Sequence, residues 1–130
     1  MQLGLERIDE ILVVTLPGPV LDVVGADEFK RAVYPVLAEE TKVVLDIANL
    51  DLVDSSGLGA FIACVKMVKA GGGDLSICGM TKQVCWLFDL LKMHSICDLF
   101  DTKEEAIKSF DTVAQGGDST GDSTDMKADV

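Results

Sequence analysis

Apolar and polar positions form short blocks along this chain, and each change of period marks an element. Leu3, Leu5 and Arg7, then Ile11 to Leu16, read as two strands around a turn near Asp9-Glu10, the second stopped by Pro17-Gly18-Pro19. From Ala26 to Glu39, Phe29, Val33, Val36 and Leu37 recur near helical spacing; Pro35 is expected to kink or end that helix early, and Asp22 precedes it in a loop. Lys42 to Ile47 is β-branched and almost continuously apolar, the mark of a central strand covered on both faces. A helix follows over Leu58 to Lys69, ended by Gly71-Gly72-Gly73, then a strand over Asp74 to Cys78. Thr81 to Lys92 reads as a helix with Val84, Leu87, Phe88 and Leu91 on one stripe. Ile96 to Phe100 supplies a short edge strand, and the acidic stretch from Asp101 to Glu105 opens a last helix through Phe110. This alternation predicts an α/β domain with a partly parallel sheet, right-handed crossovers and an antiparallel opening.

Composition limits what such a domain does. With 130 residues, 48% hydrophobic content and a mean hydropathy of +0.33, the chain has material for one core and no room for two. The domain is expected over residues 1–111. Residues 112–130 hold Asp, Gly, Ser and Thr without an aromatic residue and read as a disordered acidic tail. Twenty-two acids against 11 bases leave a net charge of -11, which repels nucleic acid and anionic membranes and favours a basic partner. The start has no basic segment leading into an apolar one, and no apolar run approaches the ~18 residues of a membrane span, so a cytoplasmic protein is expected. Cys64, Cys78, Cys85 and Cys97 form no Cys-x-x-Cys pair and share the chain with a single His94, so four reduced, mostly buried thiols are expected, with no metal and no cofactor.

The chemistry concentrates in Asp54-Ser55-Ser56-Gly57-Leu58-Gly59, between a strand and a helix. Two hydroxyls at a helix N-terminus meet unpaired N–H groups and the positive end of the helix dipole, a place that suits a phosphate. The plainer reading is that one serine caps the helix. A nucleophilic serine is disfavoured, because His94 is remote in sequence and Asp54 stands where a Gly-x-Ser-x-Gly elbow needs glycine; no catalytic residue is assigned. No lysine follows Gly57 and Gly59 at phosphate-loop spacing, so any ATP is bound by a partner, and these glycines serve close backbone approach or a tight turn.

With LPGPVLDVVGADEFK before it and KAGGGDLSICGMTKQVCWLFDL after it, the stretch VVLDIANLDLVDSSGLGAF resembles the bacterial anti-sigma factor antagonists, the stand-alone STAS domains, over roughly residues 3 to 110. The resemblance implies a single STAS-type domain, a mixed sheet of four or five strands with helices mostly on one face. It implies phosphorylation of Ser56, with Ser55 as second choice, by an anti-sigma factor that is also an ATP-dependent serine kinase. The unphosphorylated protein then binds that kinase and frees a sigma factor, and a serine phosphatase resets the system. The Asp22 loop is expected beside the serine, giving a partner surface of Asp22, Asp54, Ser55, Ser56, Gly57, Leu58 and Gly59, extended along the outer helix face by Cys64 and Met67. That helix is apolar almost all round, which suggests a hydrophobic partner groove or a homodimer. The alternative is a STAS scaffold or regulatory partner in a stress-sensing or transporter-linked assembly.

Overall fold

β1 (Gly4–Ile8) and β2 (Ile11–Thr15) pair antiparallel, joined through Asp9, whose φ of 55° is the left-handed conformation that short hairpin turns require. The computed structural model describes residues 1–115. β3 (Val20–Leu21), α1 (Val23–Leu37), β4 (Lys42–Asp46), β5 (Leu52–Val53), α2 (Ser55–Ala70), β6 (Asp74–Cys78) and α3 (Lys82–Leu90) follow. A 3-10 turn (Met93–Ser95), β7 (Asp98–Phe100) and α4 (Lys103–Gln115) complete the order. The five-stranded sheet runs β1-β2-β4-β6-β7, parallel throughout except for β1, so its mixed direction agrees with the expectation.

Strand alternation divides the core. On one face Val14, Val43, Leu45, Leu75 and Ile77 meet α1, α2 and α3; on the other Ile11, Val13, Val44 and Cys78 meet Ala106 and Phe110 of α4. Phe61 of α2 stands edge-on to Phe29 of α1 at 5.9 Å and to Phe88 of α3 at 6.3 Å, which makes α2 the middle helix of three. Most of its apolar residues therefore pack within the chain, against the sheet and the flanking helices, with Leu58, Ile62, Ala63 and Met67 half-buried and Gly59 and Lys66 exposed. Cys64, Cys78 and Cys97 are buried free thiols, each pushed up to about 12, chiefly by burial.

Several boundaries differ from the sequence expectation. α1 begins at Val23, with Asp22 as its cap rather than in a loop, and Pro35 lies in its last turn, so the helix closes two residues later without breaking in the middle. α2 begins at Ser55, so neither serine caps it; Asp54 does. α3 ends at Leu90, and Lys92 turns left-handed (φ 56°) into the 3-10 turn. α4 continues past Phe110 to Gln115; the tail expected from residue 112 lies, from 116 onward, outside the described residues.

Candidate functional site

β3 and β5 are only two residues long and belong to no large sheet, yet they build the site. They pair parallel, Val20 with Leu52 and Leu21 with Val53, so the residues that follow them, Asp22 and Asp54, begin two helices side by side. Each aspartate is extended and each caps in the same way. Asp22 Oδ1 accepts from the Gly25 N–H at 3.0 Å, and Asp54 Oδ1 accepts from the Gly57 N–H at 3.0 Å. The two aspartate carbonyls take the first helical bonds, from Ala26 at 2.7 Å and Leu58 at 2.9 Å. The Asp54 N–H donates to the Leu21 carbonyl at 3.1 Å and ties the two caps together.

Sequence accounts for this twin arrangement. Val20-Leu21-Asp22-Val23-Val24-Gly25 and Leu52-Val53-Asp54-Ser55-Ser56-Gly57 share one pattern: two apolar residues, Asp, two variable positions, Gly. In the second copy the glycine is a steric necessity. A Cβ on Gly57 would stand 2.8 Å from the Leu21 carbonyl oxygen and 2.9 Å from Val53 Cγ1. The close approach expected at Gly57 is thus to a neighbouring strand. Gly59 has open space where a Cβ would go, so no close approach accounts for it.

The structure brings Asp22, Asp54, Ser55, Ser56, Gly57, Leu58 and Gly59 to one end of the helical layer. Asp22, Asp54, Ser55 and Gly59 are exposed, Ser56 and Leu58 half-buried, and Gly57 buried. Asp54 and the helix satisfy the Gly57 and Leu58 N–H groups, leaving those of Ser55 and Ser56 as the free donors of the first turn.

Cys64 is a correction. It belongs to the core, at 0% exposure, because the helix face it occupies is the one packed against neighbouring elements. Met67 is half-buried and also packs on the core, so the pair does not extend an outer docking face. The surface instead widens toward α1. Val23 and Val24, at the positions matching Ser55 and Ser56, are 63% and 65% exposed, and Val20 and Leu52 beneath them are exposed too. The repeated Asp-x-x-Gly pattern was the signal in the sequence that could have found them.

His94 lines a shallow cleft with Lys69, Asp74 and Asp98 at the far end of α2, whose 16 residues span about 24 Å. No imidazole therefore stands near the serines. Among the described residues, no cluster of three or more His, Cys, Asp or Glu suits a metal ion, and no helix is long and apolar enough to cross a membrane.

Comparison with known proteins agrees with this fold. The sequence is 26% identical over 116 residues to an anti-sigma F factor antagonist of Paenibacillus polymyxa, covering 88% of this chain and 98% of the relative. It is 32% identical over 99 residues to an anti-sigma-B factor antagonist of Staphylococcus epidermidis, covering 74% and 91%. The fold superposes on the anti-sigma factor antagonist SpoIIAA in its unphosphorylated form with a TM-score of 0.70 at 20% identity, over 85% of this chain and 96% of that one. The phosphorylated form of the Bacillus cell fate determinant SpoIIAA gives 0.64 at 20% identity, over 84% and 99%. The STAS domain matches residues 2–106, a span that holds both capped helices and the whole sheet, and the chain belongs to the STAS domain family.

Proposed function

We propose that this protein is an anti-sigma factor antagonist in the cytoplasm, and that the paired N-termini of α1 and α2 form the surface that docks on an anti-sigma factor with serine kinase activity. Exposed Val20, Val23, Val24 and Leu52 supply apolar contact, and Asp22 and Asp54 supply charge for a basic partner rim. The relatives' function supports this reading, as do two serines at a helix start with free N–H donors.

The observation that carries the switch is accessibility. Ser55 is exposed and Ser56 half-buried, which favours Ser55 as the acceptor over Ser56, the first choice from sequence. A phosphate there adds about -1.5 to -2 charges. The α2 N-terminus stabilises it by roughly 0.3 to 1 kcal/mol, so the domain keeps its fold in both states. The cost falls on the complex, which must desolvate the new charge beside Asp54 and Asp22. Phosphorylation thus releases the kinase, and a serine phosphatase restores binding.

Phosphosite mapping and calorimetric titration against the cognate kinase test this. Ser55→Ala is expected to bind yet remain unmodified, Ser56→Ala to be modified normally, and Ser55→Asp to bind about tenfold more weakly, equivalent to ~1.4 kcal/mol. Phosphate on Ser56 alone would restore the other assignment. Binding indifferent to phosphate would favour the scaffold reading.

A further inference from the structure

α3 presents a second exposed apolar face, on the side turned away from the core. Val84 and Phe88 fix its inner side in the core, and at about 100° per residue Trp86 stands opposite them. Trp86 is the only tryptophan of the chain and is 68% exposed; Leu90, one turn on, is 61% exposed, and Leu91 at the helix end is exposed as well. Exposed apolar side chains gathered on one helix face, with a tryptophan among them, are the kind of surface enriched at protein contacts.

Charge indicates the occupant. A chain of net charge -11 repels its own copies over most of its surface. The segment from Lys82 to Lys92 is an exception, holding Lys82, Lys92 and Asp89 and no other charged side chain. Lys82 and Asp89 lie on the same flank of Trp86, at nearly equal distances before and after it. Among the described residues neither has a salt-bridge partner.

We propose that a second copy of this chain docks on α3, the two helices running antiparallel with Trp86 beside the two-fold axis. In that arrangement, positions equally far from the axis meet. Lys82 of each copy faces Asp89 of the other, the two Trp86 rings touch, and Leu90 of each copy covers Gln83 of the other. A parallel pairing brings each flank of the helix against the opposite flank of the other copy, Lys82 beside Gln83 and Asp89 beside Leu90, and forms no Lys82–Asp89 pair. Nine residues make a small contact, so the dimer is weak, with a dissociation constant on the order of 10–100 μM. The proposal does not depend on the phosphorylation reading.

Sedimentation equilibrium on the full chain between about 5 and 500 μM, with Trp86 emission followed over the same range, tests it. A monomer–dimer transition is expected, with emission moving to the blue as dimer forms. Lys82→Glu should weaken the dimer about tenfold, and the combined Lys82→Glu and Asp89→Lys exchange should return it to within about threefold of the parent. Trp86→Lys should be monomeric with an unchanged far-UV spectrum. Three results overturn the proposal: a monomer with constant emission at every concentration, a dimer that survives Trp86→Lys, or a double exchange that binds no better than the single one.

Discussion

The main-chain N–H of Asp54 donates to the carbonyl oxygen of Leu21 at 3.1 Å, and that one bond joins two helix starts lying 32 residues apart in sequence. The same carbonyl is what a side chain at Gly57 would strike. Docking surface and fold are therefore coupled at the Leu21 carbonyl, and the exposed Ser55 follows Asp54 in the chain.

Gly57→Ala tests this coupling. The added methyl forces β3 and β5 apart or shifts the first turn of α2, at a cost of about 1–3 kcal/mol. Chemical denaturation should show that loss, whereas Gly59→Ala, with open space around it, should be neutral or gain up to ~1 kcal/mol from helix propensity. Equal effects at the two positions would contradict the packing described.

Val24 and Cys64 separate surface from core. Val24→Lys should change stability by no more than about 0.5 kcal/mol. It should nevertheless weaken kinase binding about tenfold, since it sets a cation against a basic partner. Cys64→Glu buries a carboxylate among Phe61, Val65 and their neighbours and should cost about 3 kcal/mol or more. A well-folded Cys64→Glu protein would return that residue to the surface.

The thiols provide a pH test. Cys64, Cys78 and Cys97 are raised to about 12 by burial, so at pH 8 they are protonated and shielded, and only half-buried Cys85 should be alkylated in native protein. Mass spectrometry should show one adduct native and four in denaturant. Because the folded values lie above the unfolded one, near 8.5, the stability these groups contribute is complete below about pH 8.5 and declines as pH rises toward 12. A melting temperature flat across that interval would contradict it.

Local chemistry determined much of this protein. The strands β1, β2, β4 and β6, the helix face of α1, the Val84, Leu87 and Phe88 part of the α3 stripe (Leu91, expected on it, is exposed at the helix end), the hairpin at Asp9 and the Asp-Ser-Ser-Gly site were legible because periodicity and turn residues act over a few positions at a time. Ladders of two residues carry no period, so β3 and β5 were invisible, and with them the twin caps that set Val23 and Val24 beside the serines. Only the tertiary structure decided which side of an apolar helix meets water. α2 reads as a helix with a spare hydrophobic face until α1 and α3 close over it through Phe29 and Phe88, while α3 keeps Trp86 outside. Burial depends on residues far apart in the chain, and the sequence around Cys64 or Trp86 contains no local record of what will cover it.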